Sequence, residues 1–224
     1  SSTMPSNSAD SVFSKISSKI LHLRNNNLGF LYWITFGHIV MHWYQNLFPL
    51  ILPYFKSEFG LSAIQLGSLN SVQMGIGSGL MLVAGYFADT ARYRQIFMLV
   101  SAILLLGISY FAIGALPSYA WTLVWSGAIG LAVALWHPTA MGGLSVKYPK
   151  TRGFALGVHG VGASIGDSLS PLALGAFITI FAWRTVMQFH LIPIVVICFV
   201  MWQVLSKIEI NEPHSTKQSG YKKV

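Results

Sequence analysis

One carboxylate, Asp167, lies near the middle of the apolar stretch 153–180, which reads GFALGVHGVGASIGDSLSPLALGAFITI. As a helix this stretch is about 40 Å long, enough to cross a bilayer. A carboxylate at that depth is costly, so it is normally protonated, paired or beside an aqueous cavity. Gly160, Ser164 and Pro171 share one helical stripe with Asp167, at spacings of i, i+4, i+7 and i+11. This small and polar stripe predicts either close packing of another helix or entry of water.

Four histidines in the apolar stretches could share a cavity with this acid. His38 and His42 are four residues apart on one helix face, His137 lies in a later stretch, and His159 precedes Asp167 by two turns. Histidine and a membrane-embedded carboxylate can both exchange protons near neutral pH. We therefore predict that Asp167, His42 and His159 couple proton movement to solute movement. The predicted substrate or cavity residues are His38, His42, Asn70, Gln73, His137, His159 and Ser164.

Two other interpretations of the histidines stay open. An intramembrane histidine often bonds only the backbone or a hydroxyl of a neighbouring helix. Alternatively, the i, i+4 pair is the spacing of a zinc or iron site, and His38, His42, His137 and His159 could bind a transition metal in transit. The primary expectation is no cofactor and no resident metal. A histidine-rich di-iron enzyme is not expected, because only seven histidines are present and His22 and His214 lie outside the apolar stretches.

Composition assigns the chain to the membrane. Its 224 residues are 54% hydrophobic and 9% charged, whereas a soluble domain carries about 25% charged residues. The net charge of +8 follows from membrane topology, so nucleic acid is not an expected partner. The single Cys198 can form no internal disulfide. We expect no cleavable signal peptide, and the polar start before Met4 resembles a tag remnant.

Hydropathy divides the chain into three regions. Residues 1–27 are polar, with an apolar side at 11–24 that suits a short helix on a membrane surface, although a frayed terminus would give the same pattern. Residues 28–205 form a transmembrane bundle, and 206–224 form a basic tail. The predicted fold is an all-α integral membrane protein with six transmembrane helices, at about 28–53, 64–88, 95–116, 119–146, 153–180 and 184–205.

Basic residues predict the orientation of these spans. Of the 14 lysines and arginines, all but Lys56 and Arg184 fall on one side of the predicted bundle. Because positively charged loops remain in the cytoplasm, both termini are expected there. In a bacterium, the membrane would be the inner (cell) membrane.

Several short motifs resemble the major facilitator superfamily. The loop after the second span contains Gly85, Asp89, Arg92 and Arg94, and resembles the superfamily signature between helices two and three. In it Thr90 replaces an arginine, and Arg92 stands where a second glycine is usual. Further matches are the loop 148–153 with Arg152, the pair Trp183–Arg184, and the helix-five pattern Gly162, Gly166, Pro171 and Gly175, in which Ser170 replaces a glycine. His137–Pro138, with Tyr44–Gln45 through Pro53, is most similar to the fosmidomycin-resistance branch of drug exporters.

This resemblance implies one bundle made of two inverted three-helix repeats, with both termini cytoplasmic. It further implies a cytoplasmic gating role for Gly85, Asp89, Arg92, Arg94 and Arg152. Because superfamily members have twelve spans, a second six-helix bundle is the expected partner, as a homodimer or as a separate C-terminal half; otherwise the chain is a fragment.

The implied function is a secondary active transporter, or half of one, which moves a small molecule or ion across the lipid bilayer. Two alternatives are a non-transporting scaffold or assembly factor and a transition-metal ion transporter. No enzymatic activity is expected.

Overall fold

The computed structural model describes residues 8–25, 28–90 and 94–208. The apolar stretches form long helices, because a backbone N–H in lipid needs a partner within its own segment. Arg92, His214 and the end of the basic tail (209–224) lie outside the described residues. In chain order, the elements are α1 (Ser8–Asn25), α2 (Gly29–Phe59), α3 (Ala63–Thr90), α4 (Gln95–Ala115), α5 (Tyr119–Lys147), a 3-10 turn (Pro149–Thr151), α6 (Arg152–Ile180), α7 (Trp183–Phe189) and α8 (Leu191–Leu205).

Five helical segments are long and apolar enough to cross a membrane: α3, α4, α5, α6 with its 3-10 turn, and α7 together with α8. The α2 helix has 31 residues, which is also long enough, but it carries histidine, asparagine and glutamine side chains that reduce its hydropathy. The protein is therefore a multi-pass membrane protein. The count of six spans and the cytoplasmic termini stay predictions, as does attachment of α1 to a membrane surface.

Two predicted spans differ from the observed helices, the first at its end and the sixth in its interior. The first span was predicted to end at residue 53, but α2 continues to Phe59 through two internal prolines. It stops at Gly60, whose left-handed φ of 61° allows its N–H to donate to the Lys56 carbonyl. The sixth span, predicted as 184–205, is two helices separated at His190. Pro193 has no N–H, and its ring crowds the carbonyl four residues earlier, so the helix breaks there.

The helices pack in two extensive pairs, α2 on α6 and α3 on α5, while α4 packs on α5, α7 and α8. When the unit α2–α4 is matched in order to the unit α5–α8, α2 corresponds to α5 and α3 to α6. The contact of α2 with α6 then corresponds to the contact of α5 with α3. Two related three-helix units would give this pattern, which supports the predicted inverted repeat. Large apolar side chains are exposed on α3 and α8, for example Leu82, Phe87 and Phe199.

A polar contact joins one end of α2 to the start of α7. The guanidinium of Arg184 donates to Glu58, and Trp183 Nε1 donates to the other carboxylate oxygen of Glu58 at 3.0 Å. Arg184 and Glu58 are both more than one-third exposed. This contact therefore holds the ends of the two helices together from the bundle surface.

Candidate functional site

Asp167 lies on an open face of the bundle, where α2 and α6 meet. Its Oδ1 accepts one hydrogen bond from His42 Nδ1 and another from Asn46 Nδ2, each at 3.0 Å. Its side chain is 54% exposed, so one side of the carboxylate is held and the other is open. Such a group can exchange a proton or a ligand with whatever occupies the space in front of this face.

The predicted histidines form one cluster around this carboxylate. His38 Nε2 and His42 Nε2 are 3.2 Å apart, and the rings of His38 and His159 stack with centroids 3.8 Å apart. The His137 ring comes from α5, and its centroid is 5.4 Å from that of His38. The structure therefore brings the four histidines of α2, α5 and α6 into one cluster, and His42 joins this cluster to Asp167.

Two glycines of α6 allow α2 to approach closely enough for these contacts. A Cβ on Gly162 would lie 2.8 Å from the Thr35 carbonyl oxygen, and one on Gly166 would lie 2.7 Å from the Ile39 carbonyl oxygen. Both distances are shorter than van der Waals contact, so any larger residue would separate the helices. Because Gly166 also lies against His42, this approach sets the distance between His42 and Asp167.

Three further predicted residues do not join the cluster. Asn70 on α3 donates to Met74 Sδ at 3.5 Å, and Gln73 has a buried Oε1 that no described group bonds. Ser164 is exposed on α6, where its carbonyl accepts from the Ser168 hydroxyl. Within the ranges 28–90 and 94–208, no hydrogen bond links these three to a histidine of the cluster.

Asn46 belongs to the site but was not predicted. It follows His42 by one helical turn, and besides Asp167 it bonds the His42 carbonyl at 2.9 Å. The signal in the sequence is the spacing of His38, His42 and Asn46 at i, i+4 and i+8, which places three polar groups on one stripe of α2.

The remaining intramembrane histidine, His190, has a structural environment. Its Nδ1 bonds the Val186 carbonyl at 2.6 Å, and its Nε2 accepts from Trp43 Nε1 at 3.2 Å. Tyr44 donates to its carbonyl. His190 borders a separate apolar cavity of about 430 Å³ between α2, α6, α7 and α8. That cavity has few polar groups, so it is not an extension of the histidine cluster.

The sequence model of the Major Facilitator Superfamily matches residues 34–223. The chain belongs to this superfamily. The motif resemblance to the superfamily is thereby confirmed.

Two relatives within the superfamily illustrate the similarity. The chain is 25% identical over 152 residues to the fosmidomycin resistance protein of Escherichia coli (strain K12), a match that covers 68% of this chain and 37% of that protein. It is 28% identical over 192 residues to a probable nitrate/nitrite antiporter, NarK1, of Thermus thermophilus, with 80% and 42% covered.

A solved superfamily structure has the same fold. It is a bacterial homolog of the human lysosomal transporter Spinster, in an inward-facing and occupied conformation, with a TM-score of 0.67 and 18% identity. The match covers 84% of this chain and 46% of that one. The chain thus spans less than half the length of these relatives.

The described residues of the superfamily signature, Gly85, Asp89 and Arg94, lie where α3, α4 and α5 meet. A Cβ on Gly85 would contact Pro138 of α5 at 3.6 Å, and the Asp89 carboxylate lies beside Gly142 of α5. Arg94 immediately precedes α4, and Arg152 is exposed as the first residue of α6. Their gating role stays a prediction.

Proposed function

We propose that this chain is one bundle of a secondary active transporter that moves a small solute across the membrane by alternating access. Membership of the superfamily and the fold shared with a solved superfamily member support transport. The second bundle, either another copy of the chain or a separate C-terminal half, would pack on the open face that carries Asp167. In a bacterium, the transporter would reside in the inner membrane.

We also propose that solute movement is coupled to protons through Asp167 and His42. The observation that carries this proposal is the 3.0 Å hydrogen bond between His42 Nδ1 and a half-exposed Asp167 carboxylate. An imidazole and a carboxylate in contact can hold one or two protons between them, and the pair is neutral overall only when two are present. A net charge on this face disfavours its closure against a second bundle in a low-dielectric environment.

Coupling then follows from the electrostatics of the pair. In the state open to one side of the membrane, Asp167 and His42 take up a proton and become neutral as a pair. The two bundles can then rock about the site, and the proton is released on the other side. His159, whose ring stacks on that of His38, would respond to the change of charge through electrostatic interaction with the other histidines.

The first experiment determines how many copies of the chain form the particle. Native mass spectrometry of the particle in nanodiscs gives its mass directly. A discrete dimer would support a half-transporter with its site doubled across a two-fold axis. A monomer would argue against transport by this chain alone, so a separate C-terminal half would have to be co-expressed.

Coupled flux is measured in liposomes that contain a pH-sensitive dye. Nitrate and fosmidomycin, the solutes in the relatives' names, serve as the first probes, and a solute-driven change of internal pH is expected. Asp167→Asn should abolish this change while the protein stays folded, because the amide oxygen can still accept from His42 and Asn46 but cannot carry the proton.

Glu58→Gln is the matched control, since it neutralises a carboxylate at the far end of α2 and should leave the stoichiometry of protons to solute unchanged. Full coupled activity in Asp167→Asn would refute the assignment of Asp167. Loss of coupling in both variants would indicate a general structural effect instead.

A further inference from the structure

The tautomer of three clustered histidines is fixed by what their Nδ1 atoms contact. His38 Nδ1 is 2.8 Å from the His159 carbonyl oxygen, and His137 Nδ1 is 2.9 Å from the Val133 carbonyl oxygen. His42 Nδ1 is 3.0 Å from Asp167 Oδ1. Carbonyl and carboxylate oxygens only accept, so each Nδ1 carries the hydrogen. In each neutral ring the lone pair is consequently on Nε2.

Ring nitrogens of three of these histidines lie close together. One ring nitrogen from each of His38, His42 and His137 lies within 4.8 Å of the other two, and the Nε2 atoms of His38 and His42 are 3.2 Å apart. Two lone pairs at this separation repel each other unless a cation lies between them. A proton could bridge that pair, but it would leave His137 Nε2 without a partner among the described residues. A metal ion can accept all three.

The distances and the outer contacts suit a metal. Two nitrogens bound tetrahedrally to one ion at 2.0–2.1 Å are about 3.3 Å apart, close to the separation of His38 Nε2 and His42 Nε2. Histidines that bind metals usually donate their other ring N–H to a carbonyl or a carboxylate, which fixes their orientation. All three histidines do so here, and Asp167 places a negative charge behind His42.

His159 lies at the edge of the cluster and outside the ligand set. Its side chain is buried, with 4% exposed, and its ring lies near the Ile34 carbonyl without a hydrogen bond of ordinary geometry. The ring stacks parallel to that of His38, with centroids 3.8 Å apart, so the in-plane lone pairs of these two rings cannot meet at one ion. The histidines whose nitrogens lie together are therefore His38, His42 and His137.

The ligand set determines the class of ion. Imidazole nitrogens suit Zn²⁺, Ni²⁺, Co²⁺ and Cu²⁺, whereas Mg²⁺ and Ca²⁺ require oxygen ligands. The sole cysteine, Cys198, contacts the Val100 carbonyl between α8 and α4 and contributes nothing to the cluster. The carboxylate lies in the outer shell, so the inner shell consists of nitrogen alone.

We propose that His38, His42 and His137 bind one divalent late first-row transition-metal ion such as Zn²⁺, with the fourth coordination position open to solvent or a solute. The binding site stands on its own geometry. The further step, that this ion is the solute carried across the membrane, rests on the proposed transport function.

Binding is tested with tag-free, full-length chain in nanodiscs, using competition with a chromophoric zinc chelator and the visible spectrum of Co²⁺. Wild type should bind one Zn²⁺ per cluster and give the intense Co²⁺ bands of a four-coordinate site. His137→Gln and His38→Gln should each weaken Zn²⁺ binding by at least about 100-fold. Asp167→Asn, which alters only the outer shell, should weaken it by about 10–100-fold.

The matched control is His190→Gln. His190 also bonds a carbonyl four residues earlier through Nδ1, but Trp43 occupies its Nε2, so zinc affinity should stay within about threefold of wild type. Circular dichroism and size-exclusion profiles monitor the fold of each variant. If a ligand variant fails to fold, the Co²⁺ spectrum of wild type decides alone, because six-coordinate weak bands would contradict the site.

The site is refuted if wild type binds Zn²⁺ no better than empty nanodiscs, or if both ligand variants retain wild-type affinity. Flux of Zn²⁺ into dye-loaded liposomes separates the two proposals. Zinc binding without zinc flux would overturn the cargo assignment but not the site. Coupled flux of another solute without zinc binding would overturn the metal site but not the transporter.

Discussion

Replacing Gly166 with alanine changes the contact that holds α2 against α6. The added Cβ would lie 2.7 Å from the Ile39 carbonyl oxygen, 2.8 Å from His42 Cβ and 3.2 Å from the Trp43 nitrogen. Two of these three atoms belong to helix backbone, so they cannot rotate away. To reach ordinary contact at 3.4 Å, α6 must move by about 0.7 Å relative to α2.

Two consequences of this movement can be calculated. Overpacking of this kind costs about 1–3 kcal/mol of folding free energy. A similar displacement of Asp167 would lengthen its 3.0 Å bond to His42 to about 3.7 Å, which is beyond hydrogen-bonding distance. Gly166→Ala should therefore lose stability and also weaken every activity that requires the pair.

Stability is measured by equilibrium unfolding in mixed micelles, followed by circular dichroism, and the pair is followed by nitrogen NMR of labelled histidine. Gly157→Ala is the matched control, because it lies on the same helix with no atom within 4 Å of its added Cβ. It should be as stable as wild type or slightly more stable. If Gly166→Ala matches Gly157→Ala in both measurements, close approach does not hold the site together.

The other predictions concern the ends of the same network. Asn46→Ala removes one of the two hydrogen bonds to Asp167 and should lower the free energy of unfolding by about 1–2 kcal/mol. It should also reduce coupled flux. Asn70→Ala is the control and should leave flux unchanged, because Asn70 bonds Met74 and not the cluster. Glu58→Gln removes an ion pair that is more than one-third exposed on both sides and should cost about 1 kcal/mol or less, a difference that high salt should erase. A larger, salt-independent loss would mean that the contact is a buried structural element.

Local hydropathy was sufficient to predict the membrane class and the helical fold. Apolar runs near 20 residues form helices wherever lipid surrounds them, because the backbone must satisfy itself within the segment. The cost of a carboxylate in such a run also singled out Asp167, and short motifs indicated the superfamily. These inferences need only the order of residues along the chain.

Three-dimensional packing decided which polar groups meet. No local rule pairs His42 with Asp167, since they are 125 residues apart and their separation depends on Gly166 and Ile39 packing backbone to backbone. The same packing engages the Nδ1 atoms of three histidines and leaves Asn70, Gln73 and Ser164 outside the cluster. The sequence by itself determined that this is a helical membrane protein with polar groups inside its apolar segments, because hydropathy is a property of each residue in its segment. Only the tertiary structure decided how those groups contact one another, because hydrogen-bond and ligand geometry depend on tenths of an ångström between helices that are distant in the chain.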